Sequence, residues 1–315
     1  MVPITCLLLL CFFVDIGDPL AVLWRLPITT VLICTGIFLL RNWISGLRWM
    51  TLLPSSHNQI SSLGAFRYIM LGSLYGLILP GALGGDVARS AQVASELSTN
   101  KASYVASIWL DRLLGLLSIL LLGSVAGILS PQLDHRLHFL LLMAAGLLFF
   151  ALLVWLAFHP GLHSLLLRLL STRHEKIHSL LAKLLSNLQE LGKYHRAHQH
   201  AVWKALGYCV PIHGLAFLAV YLLAGALGIE IGFLALSLFT AISWLVTSIP
   251  LSFSGVGIRE LSFVVLLQTQ GISAELATTL SLGFFSVMML TALIGAFFLL
   301  APGVRRKQHQ RSTST

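Results

Sequence analysis

Long apolar runs separated by short polar stretches dominate the chain. A transmembrane helix needs about 20 consecutive, mostly apolar residues. Runs of about that length predict full spans at residues 20–40, 102–129, 136–158, 201–227, 231–250 and 272–300. Shorter apolar runs occur at residues 2–14 and 60–79. The first predicts a short or tilted helix rather than a cleaved signal peptide, because it has no basic N-terminal region and no small-residue cleavage site.

Proline and glycine interrupt the apolar pattern in two stretches, Pro80–Arg89 and Pro250–Glu260. Proline removes a backbone donor and obstructs a continuous helix, and glycine frees the backbone to take conformations that other residues avoid. At membrane depth, irregular backbone is tolerated only where it is buried in protein or lines a wet cavity. We expect broken or re-entrant segments at both places, including residues 64–94. The residues expected to shape these breaks are Pro80, Gly81, Gly84, Gly85, Pro250, Gly255 and Gly257.

The two breaks share a spacing, in which a proline is followed five residues later by glycine and nine residues later by arginine. Pro80, Gly85 and Arg89 form the first set, and Pro250, Gly255 and Arg259 form the second. Chance and internal duplication both explain this echo, and short interrupted segments in two halves are typical of repeat-built transporters. The sequence therefore predicts an all-α polytopic membrane protein with about six to eight transmembrane helices and two broken segments.

The composition supports a single integral membrane domain over residues 1–300. Hydrophobic residues make up 57% of the chain and charged residues 10%, whereas soluble domains carry roughly 25% charged residues. The net charge of +9 is concentrated at residues 168–204 and in a basic tail at 301–315, which we expect to be disordered. Basic segments beside membrane spans indicate cytoplasmic loops that face anionic lipid. Nucleic acid is not an expected partner, because no aromatic reading surface accompanies the basic residues.

Arg41 and Arg48 follow the first full span and predict that its end at residue 40 is cytoplasmic. Trp43 and Trp49 suit the aromatic belt of the membrane interface. We favour a membrane crossing for residues 251–270, because the basic tail then also lies on the cytoplasmic side.

Residues 159–200 form an insertion in which leucines share one helical face and basic residues occupy much of the rest. This pattern predicts amphipathic helices on the cytoplasmic leaflet. Metal binding by its histidines is disfavoured because no carboxylate pattern accompanies them. The cysteines are interpreted as small buried hydrophobic residues, so neither a metal nor a cofactor is expected. His213 lies within a span, and we expect a backbone carbonyl to satisfy it. The residues in question are His174, His178, His195, His198, His200, Cys6, Cys11, Cys34 and Cys209.

Six charged residues lie in apolar surroundings and form the candidate substrate-binding set. They are Asp86, Arg89, Asp111, Arg112, Arg259 and Glu260. One unpaired charge at the bilayer centre costs roughly 3 kcal/mol or more, so we expect the six side chains to converge. Asp111 and Arg112 point about 100° apart on one helix and each needs a partner from another element.

This network has two interpretations. It could only hold helices together, or an arginine could be released in part to bind a phosphate, whose geometry suits the guanidinium fork. The sequence contains no Ser-His-Asp arrangement, no paired catalytic carboxylates and no nucleotide-binding loop. Enzymatic activity is therefore less expected than transport.

Three motifs resemble the membrane domain of the lysylphosphatidylglycerol synthase/flippase family, in order and in spacing. They are Leu79-Pro-Gly-Ala-Leu-Gly-Gly-Asp-Val-Ala-Arg, Asp111-Arg-Leu-Leu-Gly and Ser254-Gly-Val-Gly-Ile-Arg-Glu. The resemblance implies a polytopic fold with re-entrant helices and a role in moving aminoacylated or glycan-linked lipids between leaflets. Nothing before the end at Thr315 corresponds to the soluble aminoacyl-transferase domain of the two-part synthases, so lysine transfer is not expected. The second break also begins Ser252-Phe-Ser254, where the family has a more Pro/Gly-rich run.

The leading hypothesis is a lipid flippase or transporter of a bacterial-type inner membrane, which moves an anionic, aminoacylated or glycan-linked lipid. Its expected partners are membrane lipids and a lipid- or glycan-modifying synthase, and an oligomer is compatible with the sequence. One alternative is a membrane-embedded transferase with Asp86 or Asp111 as a base, which requires an isolated carboxylate in a deep pocket. Another is a scaffold that does not transport and docks a synthase through residues 159–200.

Overall fold

The structure is a computed structural model, which describes residues 26–53, 60–79, 83–96, 101–131, 133–158, 199–248, 255 and 257–300. These residues form nine α-helices and no strand. In chain order the helices are α1 (Ile28–Thr51), α2 (Ser62–Ile78), α3 (Gly84–Glu96), α4 (Lys101–Ile128), α5 (Arg136–Phe158), α6 (Gln199–Ala226), α7 (Phe233–Thr247), α8 (Ile258–Gln268) and α9 (Ala274–Leu300).

Five of the helices in the described ranges are long and apolar enough to cross a membrane, namely α1, α4, α5, α6 and α9. Helices α2 and α7 are apolar but shorter, with 17 and 15 residues. Helices α3 and α8 have 13 and 11 residues, which at about 1.5 Å per residue fall well short of a hydrocarbon core of about 30 Å. The protein is therefore an all-α multi-pass membrane protein, and the predicted fold class is confirmed.

The helices pack around two half-length elements. Helix α1 packs mainly against α6 and α2, while α2 also packs against α9 and α3. Helix α8 lies between α7 and α9, and α3 lies between α2 and α4. Helix α5 packs against α4 and exposes leucines such as Leu137, Leu141 and Leu148. Such exposure is stable in lipid, because hydrocarbon tails are as apolar as leucine.

The first full span differs from its prediction. The sequence predicted residues 20–40, but α1 begins at Ile28 and continues through Arg41 and Arg48 to Thr51. The helix tolerates these charges because Arg48 finds a carboxylate partner inside the protein. Trp49, predicted to lie in the interface belt, is fully buried and donates from its indole Nε1 to Ser107 Oγ at 3.0 Å.

Glycines set the geometry beside both half-length helices. Helix α3 crosses α2 so closely that a Cβ added to Gly85 would overlap the carbonyl oxygen of Gly72. Before α8, Gly255 and Gly257 adopt φ angles of 78° and 84°, a left-handed region that glycine enters without steric cost.

Several predictions fall outside the described residues. They include the break residues Pro80, Gly81 and Pro250, the start of the chain, most of the 159–200 insertion and the 301–315 tail. The re-entrant geometry of the two breaks and the crossing of residues 251–270 stay predictions.

Candidate functional site

A cavity of about 390 Å³ lies among α1, α2, α3, α4, α6, α7, α8 and α9. Its lining residues Arg41, Gly115, His213 and Met288 each lie within two residues of the middle of their helices. The cavity therefore sits near mid-height of the long helices. Its volume falls within the range of about 300–1,000 Å³ that is typical of small-ligand sites.

Asp111 on α4 is held by arginines from two other helices. Arg48 Nε donates to Asp111 Oδ1 at 2.8 Å, and Arg89 Nη2 donates to Asp111 Oδ2 at 3.3 Å. All three side chains are less than a tenth exposed. The prediction that Asp111 needs a partner from another element is confirmed, and α1, α3 and α4 are joined at this carboxylate.

Asp86 extends the same network along α3. Arg112 Nη1 donates to Asp86 Oδ2 at 3.3 Å, and Arg89 Nη2 lies 3.8 Å from Asp86 Oδ1. The side chains of Asp86 and Arg112 are 18% and 27% exposed, so this end of the network is the more accessible one. Arg112 thus also pairs with another helix, as predicted.

A second ionic group forms at the start of α8. Arg259 Nη2 donates to Glu260 Oε1 at 2.7 Å, and the Gly257 backbone N–H donates to Glu260 Oε2 at 2.6 Å. Ser281 on α9 accepts from Arg259 Nε and donates to Glu260 Oε1, each at 3.0 Å. Arg259 lines the cavity, whereas Glu260 is not among its lining residues.

Arg41 and Arg48 are cavity residues that the sequence analysis missed, because it used them to mark the end of a span. Both line the cavity from the middle of α1. With Phe38, Asn42 and Ser45 they occupy one helical face, and this recurrence at helical spacing could have indicated a buried polar stripe.

His213 on α6 lines the same cavity and is only 3% exposed. The Gly115 carbonyl lies nearby, but neither ring nitrogen makes a hydrogen bond of ordinary geometry to a residue in the described ranges. The expectation that a backbone carbonyl satisfies His213 is therefore not met. Its ring packs beside Phe217 and Trp244, with centroids 6.3 Å and 6.2 Å away.

A polar, arginine-rich cavity inside a helical membrane protein agrees with one family comparison. The model of the lysylphosphatidylglycerol synthase transmembrane region matches residues 1–295. The chain belongs to this family. No curated protein and no solved structure matches it. The resemblance carried by the three motifs is confirmed, and membership in the lysylphosphatidylglycerol synthase family indicates a membrane-embedded, lipid-related function.

In this family member, five of the six predicted binding residues line one cavity, and the sixth, Glu260, is bonded to the fifth. Whether these residues bind substrate stays a prediction. Within the described part of the chain, no three His, Cys, Asp or Glu side chains are grouped closely enough to hold a metal ion. Cys34 and Cys209 are buried thiols, and Cys209 Sγ accepts from Arg48 Nη1 at 3.3 Å.

Proposed function

We propose that this protein moves a lipid between the leaflets of a bacterial-type inner membrane. The polar headgroup passes through the arginine-lined cavity while the acyl chains stay in the bilayer. The lipid is anionic, aminoacylated or glycan-linked, and the basic segment 159–200 and the tail face the cytoplasm. Family membership supports the lipid-related part of this proposal.

The observation that carries the proposal is the position of the polar cavity near the middle of the long helices. The hydrocarbon core is the barrier that a headgroup must cross, because polar groups lose their hydration there. Guanidinium groups that are already desolvated and held in place replace part of that hydration for a phosphate. A structural plug of ion pairs would not need an adjacent space of about 390 Å³.

The half-length helices support the same proposal. Arg89 near the start of α3 and Arg259 near the start of α8 both face the cavity. Interrupted helices that meet near the midplane are the way many transporters build their binding sites. Helix N-termini also add positive potential, which favours an anionic group.

The transferase alternative is less well supported. A general base needs a carboxylate that is free to accept a proton. Asp86 and Asp111 each lie within ion-pair distance of two guanidinium groups. The scaffold alternative depends on residues 159–198, which lie outside the described ranges.

The test is lipid scrambling in proteoliposomes with fluorescently labelled lipids, comparing wild type with Arg89→Ala and Arg112→Gln. We expect both variants to lose at least about tenfold in rate, since each removes a charge-assisted contact to the headgroup. Arg136→Gln is the matched control, because Arg136 lies on α5 and donates to the backbone carbonyls of Gly127 and Ile128 outside the cavity. Unchanged scrambling by folded Arg89 and Arg112 variants would remove the proposed mechanism.

A further inference from the structure

Arg41 differs from the other arginines that line the cavity. Each ion pair of the described cavity uses Arg48, Arg89, Arg112 or Arg259. Arg41 Nη1 instead donates to the neutral side chain of Asn42 at 3.1 Å. Its guanidinium lies 5.4 Å from the Phe38 ring centroid. Arg41 Nε is buried and has no hydrogen-bond partner among the residues that the structure describes. One strong donor at the cavity wall is therefore unused.

The charges around the cavity do not cancel. Five guanidinium groups line it, and the carboxylates bonded to them are those of Asp86, Asp111 and Glu260. With histidine neutral, two positive charges remain uncompensated within the described residues. A desolvated excess of this kind is costly unless an anion offsets it.

His213 adds a second unused donor in the same cavity. It is only 3% exposed, and both of its ring nitrogens are without a hydrogen-bond partner in the described ranges. The charges that act on it are those of Arg41 and Arg48. Arg48 is already bonded to Asp111, so Arg41 and His213 are the pair that an anionic ligand would satisfy.

A cationic headgroup has no matching partner here. An ammonium group needs an acceptor, preferably a carboxylate. In the part of the cavity that the structure describes, every carboxylate already bonds to a guanidinium. An aminoacylated lipid with a net positive charge would also meet the uncompensated positive charge of the walls.

Building on the proposed transport function, we propose that Arg41 and His213 bind the phosphate of an anionic lipid headgroup, and that the cavity discriminates against cationic, aminoacylated headgroups. A guanidinium fork and an imidazole N–H reach different oxygens of one phosphate. Asn42, Ser45 and Ser73 line the same cavity and offer neutral contacts to the glycerol or sugar beyond the phosphate.

The experiment measures binding of short-chain probes to the purified full-length protein in detergent by microscale thermophoresis. The probes are dihexanoyl phosphatidic acid, dihexanoyl phosphatidylglycerol, dihexanoyl lysylphosphatidylglycerol and inorganic phosphate. We expect both anionic lipids to bind at least about tenfold more tightly than the lysyl lipid. We also expect inorganic phosphate to bind more weakly than phosphatidic acid, because it lacks the lipid part.

Arg41→Gln should weaken phosphatidic acid binding by about tenfold to hundredfold, and His213→Phe should weaken it by about tenfold or less. Arg41→Lys keeps the charge without the fork and should lose less than Arg41→Gln, so it serves if the Gln variant does not fold. Arg67→Gln is the control, because Arg67 pairs with Glu96 outside the cavity, and it should bind like wild type.

Tight binding of the lysyl lipid, unchanged phosphatidic acid binding in the Arg41 variants, or equal affinity for inorganic phosphate would each overturn the proposal. The scrambling assay separates this failure from failure of the transport function. Rapid scrambling of the lysyl lipid would sink the headgroup preference and leave transport intact. Arg41-dependent binding of phosphatidic acid without any scrambling would support the preference and remove transport.

Discussion

Helices α3 and α8 carry arginines at matching distances from a proline and a glycine, yet the two arginines have different surroundings. Arg89 is shared between Asp86 and Asp111 at 3.8 Å and 3.3 Å, and Arg112 on α4 completes that network. Arg259 pairs with its own neighbour Glu260 at 2.7 Å. Asp86 and Arg112 are 18% and 27% exposed, whereas Arg259 and Glu260 are each 3% exposed.

The aromatic contacts follow the same division. The Arg89 guanidinium lies 5.1 Å from the ring centroid of Trp49 on α1. The Arg259 guanidinium lies 4.9 Å from the Phe285 ring and 5.9 Å from the Phe284 ring, both on α9. The comparison shows that one sequence spacing can produce a long, adjustable ion network in one place and a closed structural pair in the other. We therefore expect function to depend mainly on the α3 network and stability mainly on the α8 pair.

The largest expected effect comes from Glu260→Gln. It leaves the Arg259 charge buried without its carboxylate, and breaking a buried pair in this way costs about 3–5 kcal/mol. The corresponding change Asp86→Asn should cost clearly less, because Arg89 keeps Asp111 as a partner. Thermal unfolding in detergent measures both, and equal losses of stability would break the comparison.

Glycine substitutions should come next. Gly85→Ala would force α3 away from α2, and overpacking of this kind costs about 1–3 kcal/mol. Gly255→Ala meets a positive φ and a Thr247 methyl carbon at 3.2 Å, with a backbone cost of about 1–2 kcal/mol. Gly214→Ala on α6 is the control, because nothing lies within 4 Å of an added Cβ there. A destabilised Gly214 variant would show that the effect is not local.

Arg112→Gln sharpens the functional side of the comparison. Arg112 is the most exposed member of the ion pairs around the cavity, so its loss should lower stability by only about 1 kcal/mol. Scrambling should nevertheless fall by at least about tenfold, a change equivalent to about 1.4 kcal/mol in the barrier. A variant that lost stability and activity in parallel would assign Arg112 to the structural pair's category of role.

Ser281→Ala should have the smallest effect. It removes one hydroxyl that accepts from Arg259 and donates to Glu260, while their direct ion pair remains. A buried hydrogen bond of this kind contributes about 1 kcal/mol. We expect a modest fall in melting temperature with unchanged scrambling per folded molecule, and reduced scrambling would show that α8 takes part in transport.

The convergence of Asp86, Arg89, Asp111, Arg112 and Arg259 could be predicted because hydrocarbon gives an isolated charge no other partner. Arg41, Arg48 and His213 were missed for an equally physical reason. An arginine at the end of an apolar run is normally a membrane-boundary signal, and only the continuation of α1 to Thr51 shows that the run ends later. The unmet hydrogen bonds of His213 depend on where the α4 backbone lies, which local sequence does not specify.

By itself, the sequence determined the all-α membrane class, the family motifs and the charged residues that had to meet, because length, hydropathy and the cost of buried charge act locally. Tertiary packing decided which charges are neighbours and which remain unpaired. Asp111 chose Arg48 on α1 and Arg89 on α3 because those helices bring guanidinium groups within 3.3 Å of its carboxylate. The same packing left Arg41 without a carboxylate partner at the cavity wall, since pairing across helices depends on distances that no single segment encodes.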